Sequence, residues 1–252
     1  GLEDQTLAIV EFEKALELNP GLNPALQGLV AAHMQLEQKD AVVNYLQQHI
    51  SDHPELINGY AALASDHKKM VRRTLARQNN PEKVIEAFKR GLDANPENNI
   101  LSMQLASSYE AAGDFEQARQ LYENVIARDP SADIAANNLA SLLSEQFESP
   151  ENLQRALTLA SRFRDSQQPY FADTFGWINY KLGNYQDARP ALERAASSDD
   201  AIALFHYHLG RLYVAMEMPE KARSSLETAQ GMANDQNDND LVGKISEQLN
   251  QL

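Results

Sequence analysis

The sequence contains no cysteine among its 252 residues. This absence excludes disulfide bonds, thiol nucleophiles and thiolate ligands for a metal ion. Long apolar runs are missing as well, so we expect no membrane-inserted segment. The first residues also lack the basic start and the apolar block of a signal peptide, and the sequence itself leaves the localisation open.

Positive charge is scarce. The chain has 22 lysines and arginines against 36 aspartates and glutamates, which gives a formal net charge of −14. Nucleic acids and anionic lipids are bound by basic surfaces. We therefore expect neither of them as the main partner.

Sequence motifs of enzymes and metal sites are also missing. There is no glycine-rich phosphate loop and no serine nucleophile elbow. His206 and His208 stand two positions apart, so on a helix they point in different directions and do not form a metal site. The stretch from Asp235 starts like a calcium loop, but Asp240 replaces the required glycine and Ser246 the required glutamate. We predict no catalytic residue, no metal and no cofactor.

What the sequence does contain is a repeated phrase. Similar stretches end at Pro20, Pro54, Pro96 and Pro130, which are 34, 42 and 34 residues apart. Within a unit apolar residues recur at helical spacing, and in two units a turn, Gly113-Asp114 or Gly183-Asn184, breaks the pattern midway. Each unit is therefore predicted to be a helical hairpin.

Three of the predicted second helices have recognisable first residues. Asp114 and Asn184 follow the Gly turns and are predicted to cap the helices that begin after them. Pro150 stands directly after Ser149, which suits the first position of a helix.

The repeated units resemble the tetratricopeptide repeat (TPR), a helix-turn-helix unit of 34 residues. "HLGRLY" at residues 208–213 matches the Leu-Gly-x2-Tyr stretch of its first helix, and "FGWINY" at residues 175–180 is a close variant. The resemblance implies an all-α fold. We expect an α-solenoid of TPR hairpins that winds into a right-handed superhelix and ends in a C-terminal capping helix.

The repeats cover nearly the whole chain, which we interpret as one solenoid domain, 1–252. The first unit has only its second helix, so we expect the chain to be a segment of a longer array. The proposed boundaries are 4–20 for this truncated unit, 21–54, 55–96, 97–130, 131–168, 169–200 and 201–229 for the complete units, and 230–252 for a polar linker with the terminal helix.

The first helices are expected to line the concave surface. In the sixth unit Phe175, Gly176 and Asn179 occupy positions at which the family packs its hairpin. The other side of this first helix is expected to face the groove. The equivalent sides of the first helices in the fifth and seventh units begin at Ile134 and Leu204. We predict a partner-binding groove formed by Asn137, Tyr170, Asp173, Trp177, Tyr180, Lys181, Tyr207 and Arg211.

Packing offers an alternative explanation for the aromatic residues of this groove. The twist between hairpins can bury Trp177, Tyr180 and Tyr207 between adjacent first helices, since large aromatic side chains usually belong to a core. The sequence leaves both interpretations open.

A basic stretch is the second candidate site. It would bind an acidic partner, or else form an ordinary solvated helix face. The residues are Lys68, Lys69, Arg72, Arg73 and Arg77.

Some TPR proteins hold a C-terminal carboxylate with a lysine-asparagine clamp. The corresponding positions of the first three complete units do not provide one, so binding of chaperone tails is not expected. The residues found there are Gln27, Ala31, Ala61, Ser65, Met103 and Ser107.

Taken with the resemblance, the sequence predicts a non-enzymatic scaffold that binds a partner peptide or protein in the concave groove, as part of a larger bacterial protein or complex. The alternative is a self-assembling scaffold that forms homo-oligomers through its open end, residues 4–18, or through the terminal helix. The last repeats are similar to those of bacterial envelope proteins tied to exopolysaccharide export and secretion, which favours the cell envelope or periplasm.

Overall fold

Helices and short turns make up the described part of the chain. The computed structural model describes residues 2–36, 38–53 and 81–252, and within these ranges it contains no strand. The helices are α1 (Leu2–Leu18), α2 (Asn23–Gln35), α3 (Lys39–Asp52), α4 (Pro81–Ala94), α5 (Asn99–Ala112), α6 (Phe115–Arg128), α7 (Asp133–Glu145), α8 (Pro150–Ala160), α9 (Pro169–Lys181), α10 (Tyr185–Ala196), α11 (Ala203–Ala215), α12 (Pro219–Asp235) and α13 (Asn239–Leu249).

The predicted all-α fold is confirmed. The chain divides into two compact units, Gly1–Asp129 and Pro130–Leu252. In the first unit α1 packs on α2, α2 on α3, α4 on α5 and α5 on α6. The second unit contains three successive hairpins, α7 with α8, α9 with α10 and α11 with α12. The exact limits of each repeat within the chain stay a prediction.

The basic stretch lies outside the described residues. This applies to all five members of that candidate site, Lys68, Lys69, Arg72, Arg73 and Arg77.

Two glycines allow the hairpins of the second unit to close tightly. A Cβ atom built on Gly176 would lie 2.6 Å from Cγ of Leu192, and one built on Gly210 would lie 2.7 Å from Cγ of Leu226. Both leucines are fully buried. A glycine on the first helix therefore makes room for a leucine of the second helix, as expected for Gly176 from the sequence.

The helix starts agree in part with the sequence. Asp114 caps α6 by accepting a hydrogen bond from the backbone nitrogen of Gln117 at 3.4 Å. Ser149 caps α8, which begins at Pro150. Asn184 occupies the predicted N-cap position of α10, but its side chain makes no capping hydrogen bond, and its amide nitrogen donates to Oδ1 of Asn179 at 3.3 Å.

The last helix covers the end of the second unit. Leu241 and Ile245 of α13 are buried in a cluster with Leu226 of α12 and Tyr207 of α11. The amphipathic pattern of α13 thus closes an apolar surface that the last hairpin would otherwise expose, and the predicted capping helix is confirmed.

Candidate protein-interaction site

The eight residues predicted to form the groove all belong to first helices of the second unit. Asn137 lies on α7, Tyr207 and Arg211 lie on α11, and the other five lie on α9. These three helices are neighbours, because α7 contacts α9 and α9 contacts α11. The structure therefore brings the predicted set together, although it gives the members very different environments.

Trp177 is buried at the junction of two hairpins. Its side chain is 8% exposed, and its ring stacks on His208 with centroids 3.9 Å apart and planes 11° apart. Tyr180, one turn further along α9, also stacks on Trp177 at 4.6 Å. His208 belongs to α11, so the stack joins the first helices of consecutive hairpins. For Trp177 the packing interpretation describes the observed surroundings.

A carboxylate fixes the imidazole in this stack. Nδ1 of His208 lies 3.0 Å and 2.9 Å from the two carboxylate oxygens of Asp173, and both side chains are buried. Asp173 therefore serves an internal contact between α9 and α11. The spacing of His208 from His206 gives no sign of this contact, because it depends on how α9 and α11 pack.

Glu145 links Trp177 and Lys181 to α7. Oε1 of Glu145 accepts a hydrogen bond from Nε1 of Trp177 at 2.5 Å and lies 3.0 Å from Nζ of Lys181. Lys181 also donates to the backbone oxygen of Ser144 at 2.7 Å and pairs with Glu148 at 3.2 Å. Burial acts to raise the pKa of Glu145, but the hydrogen bonds from Trp177 and Lys181 outweigh it and hold the pKa below its ordinary value.

Arg211 is held between two tyrosines. Its Nη1 donates to the hydroxyl of Tyr207 at 2.9 Å and its Nη2 to the hydroxyl of Tyr180 at 3.2 Å. The guanidinium carbon lies 5.8 Å and 5.7 Å from the centroids of the same two rings. Burial acts to lower the pKa of Arg211, yet the contacts with Tyr207 and Tyr180 raise it above its ordinary value. The guanidinium is therefore charged and fixed in orientation.

The remaining two members of the predicted groove differ in exposure. Asn137 is buried, and its Oδ1 accepts no hydrogen bond from any described residue. Tyr170 is 49% exposed. Its ring packs edge-on against the ring of Phe205 of α11, with the two centroids 5.2 Å apart. Tyr170 thus combines a fixed position with an accessible surface.

Exposed apolar side chains recur at one helix position. Ile134, Tyr170 and Leu204 are each the second residue of a first helix, α7, α9 and α11. They are 63%, 49% and 39% exposed. We call these three residues the apolar row. The sequence predicts Tyr170 as a groove residue, and it marks Ile134 and Leu204 as the first positions of equivalent stripes.

An open cavity lies at one end of the apolar row. Its volume is about 370 Å³, and it is formed where α11 and α13 begin. Apolar and charged side chains share its wall, among them Ile202, Leu204, Leu241, Asp238, Asp240 and Lys244.

The described residues contain neither a metal cluster nor a membrane-spanning helix. No group of three histidines, aspartates or glutamates in the ranges 2–36, 38–53 and 81–252 could hold a metal ion. Burial lowers the pKa of His206. No helix within the same ranges is both long enough and apolar enough to cross a bilayer.

Family models of the tetratricopeptide repeat match the sequence in two places, residues 75–143 and residues 174–238. The chain belongs to the tetratricopeptide repeat family. Proteins built from TPR units generally mediate protein–protein interactions.

The related proteins are much longer than the segments in which they match this chain. A TPR repeat-containing protein of Pseudomonas aeruginosa is 30% identical over 121 residues, 48% of this chain and 20% of that protein. The small glutamine-rich tetratricopeptide repeat-containing protein 2 of Saccharomyces cerevisiae is 29% identical over 140 residues, 55% of this chain and 38% of its own length. The chain thus spans a fifth to two fifths of these relatives.

Solved TPR structures share the fold. A TPR protein from Parabacteroides merdae matches 97% of this chain and 93% of its own chain with a TM-score of 0.62 at 14% identity. A thermophilic TPR protein from Thermus thermophilus matches 70% of this chain and 94% of its own with a TM-score of 0.57 at 21% identity. At these identities the likeness concerns the fold alone.

Proposed function

We propose that this TPR protein is a non-enzymatic scaffold that binds a segment of a partner protein across α7, α9 and α11. The observation that carries the proposal is the apolar row, in which Ile134, Tyr170 and Leu204 repeat one exposed position on three consecutive first helices. Single exposed hydrophobic residues are normal on a protein surface, whereas a repeated set offers a connected apolar contact.

The spacing of the row suits a peptide. Packed helices lie about 8–10 Å apart, and an extended chain advances about 3.3 Å per residue. An extended partner would therefore present an apolar side chain about every third residue. The cavity beside Leu204 would receive one further side chain at the end of the row.

The buried residues of the predicted groove have a different part in this proposal. Trp177, Asp173 and His208 join α9 to α11, while Glu145 joins α7 to α9. These contacts fix the positions of the three first helices relative to one another. The side chains of the apolar row are therefore already in place before a partner binds. Preorganisation of this kind reduces the entropic cost of binding.

A displayed library of random peptides, each about ten residues long, tests the proposal, because this length covers three helices. Three forms of the whole chain are compared: the native protein, the row variant I134S/Y170S/L204S and the control L7S/L18S. Leu7 and Leu18 are exposed apolar residues of α1, in the first compact unit. Circular dichroism establishes that all three forms are equally helical.

We expect the native protein and the L7S/L18S control to retain the same peptides. The row variant should retain them at least about tenfold less, because each buried aliphatic or aromatic side chain contributes about 1.5–3 kcal/mol. Retained peptides should carry apolar residues at a regular spacing. Equal retention by the native protein and a folded row variant would rule out the row as the binding surface.

Self-assembly remains the second candidate function, and α1 carries the observation that favours it. Leu7, Val10 and Leu18 of α1 are 66%, 41% and 89% exposed and follow one side of the helix. Light scattering of the native chain and of an L7S/V10S/L18S variant tests this candidate. A native oligomer that becomes monomeric in the variant supports it, and a monomeric native chain contradicts it.

A further inference from the structure

We infer that the partner segment is acidic and that it places an aspartate or glutamate side chain on Arg211. The inference rests on the proposed function, because it concerns the chemistry of a segment bound across α7, α9 and α11. It depends on one feature of the second unit, a half-buried arginine that is oriented by neutral groups.

The charge of Arg211 is not neutralised by its neighbours. The phenol hydroxyls of Tyr207 and Tyr180 accept its hydrogen bonds, and within the part of the chain that the structure describes no carboxylate forms an ion pair with it. Lys181, the other lysine or arginine on α7, α9 and α11, pairs with Glu145 and Glu148. A partly buried charge without a counter-charge is under-compensated, so a bound carboxylate would stabilise it.

Arg211 retains donors for a ligand. A guanidinium has five N–H groups, and two of them are used by the tyrosine hydroxyls. The remaining N–H groups lie in the same plane, which matches the planar fork geometry of a carboxylate. Because Tyr180 and Tyr207 fix the plane, little side-chain freedom is lost when the carboxylate binds.

The position of Arg211 favours a side-chain carboxylate within the segment. Arg211 follows Leu204 by seven residues on α11, which is about two turns or 10 Å. A chain that crosses the apolar row and then follows α11 from Leu204 passes Arg211 about three residues further on. An internal acidic residue reaches the guanidinium from such a path.

Peptide selection measures this preference directly. The library is fused through its C-terminus to the carrier, so that aspartate and glutamate side chains are the carboxylates it offers within the random segment. It is panned on the whole native chain, on R211Q and on R223Q. Arg223 is an exposed arginine of α12, and R223Q makes the same charge change on a second helix, outside α7, α9 and α11.

We expect aspartate and glutamate to be enriched in the native and R223Q pools over the input library, with no such enrichment in the R211Q pool. For one selected peptide, R211Q should weaken binding about tenfold or more, and glutamate-to-glutamine exchange in the peptide should do the same. Combined, the two changes should cost no more than either alone. R211K keeps the charge but not the planar fork, and should fall between the native protein and R211Q.

The outcomes separate the two proposals. Peptides that need the apolar row but show no acidic enrichment, with equal affinity for native protein and folded R211Q, overturn the acidic-partner inference and leave the proposed function standing. A native chain that retains no more peptide than the row variant overturns both. If R211Q loses helicity, R211K and the glutamine-substituted peptide give the decisive comparison on folded protein, and undiminished binding of that peptide contradicts the inference.

Discussion

Trp177 lies flat against His208, with ring centroids 3.9 Å apart and planes 11° apart. The two residues belong to first helices of consecutive hairpins, and Asp173 fixes the imidazole through its Nδ1. Trp177 is also the one tryptophan of the chain. The hairpins α9–α10 and α11–α12 are thus joined by a polar aromatic contact in addition to aliphatic packing.

We expect Trp177→Ala to destabilise the protein strongly. The change removes a buried aromatic ring, its stack on His208 and its hydrogen bond to Glu145. Large-to-small changes of this kind cost about 3–5 kcal/mol in the free energy of unfolding. Urea denaturation followed by circular dichroism measures the loss. Tyr170→Ala is the control, because half of that side chain is exposed, and it should cost about 1 kcal/mol or less.

The hairpin pattern could be predicted from the sequence because its causes are local. Helical spacing, glycine turns and the Asp114 cap each depend on residues within a few positions. Asn184 stands at the predicted N-cap position, but its side chain bonds to Asn179 and makes no capping hydrogen bond, a detail that residue preferences do not show. Local preference thus decided the helices, but not every hydrogen bond at their ends.

The surroundings of the predicted groove residues could not be predicted from the sequence in the same way. Whether Trp177 faces a partner or His208 depends on how one hairpin sits on the next, and residues 31 positions apart in sequence determine it. Likewise, the sequence shows Arg211 as one of many charges. Its lack of a carboxylate partner becomes apparent only when the contacts of Tyr180 and Tyr207 are known.

The contribution of Glu145 to the stability of the folded protein should depend on pH. Its pKa in the folded protein is held below the ordinary value, so folding favours the ionised carboxylate. That stabilisation is complete above the pKa of the unfolded chain, about 4.3, and is lost as the pH falls through the lower folded value. Glu145→Gln should therefore reduce the melting temperature at pH 7 and have less effect in acid.

The loss from Glu145→Gln at neutral pH should be about 1 kcal/mol or less, because the side chain is 43% exposed and its ion pair is screened by solvent. Glu247→Gln, an exposed carboxylate of α13, is the matched control and should leave the melting temperature unchanged at both pH values. A Glu145→Gln effect that grows as the pH falls would contradict the assigned sign.

Tyr213 should ionise late in an alkaline titration. Burial and the 2.7 Å hydrogen bond that its hydroxyl donates to Glu193 raise the pKa of Tyr213 to about 12. Folding therefore favours the neutral phenol, and this stabilisation is present below the ordinary value of about 10 and lost as the pH rises through about 12. The phenolate absorbance of the nine tyrosines follows the titration.

Two substitutions check the origin of this shift. Tyr213→Phe should remove one late-ionising group from the absorbance curve. Glu193→Gln should move the ionisation of Tyr213 to lower pH, because the negative charge that opposes phenolate formation is gone. If Glu193→Gln leaves the curve unchanged, the hydrogen bond does not contribute to the raised pKa.

The close approach at Gly210 should make even one added methyl group costly. A Cβ atom there would lie 2.7 Å from Cγ and 2.8 Å from Cδ2 of Leu226, inside van der Waals contact. Gly210→Ala should therefore force α11 away from α12 and destabilise the protein by about 1–3 kcal/mol. Gly231→Ala is the matched control, because a Cβ added there meets no described atom within 4 Å. In the interior of α12 alanine is the better helix former, so this control should stabilise the protein by up to about 1 kcal/mol. Urea denaturation should give changes of opposite sign in the free energy of unfolding of the two variants if hairpin packing leaves no room for a side chain at Gly210. Equal stabilisation in both would show that α11 and α12 can separate without cost.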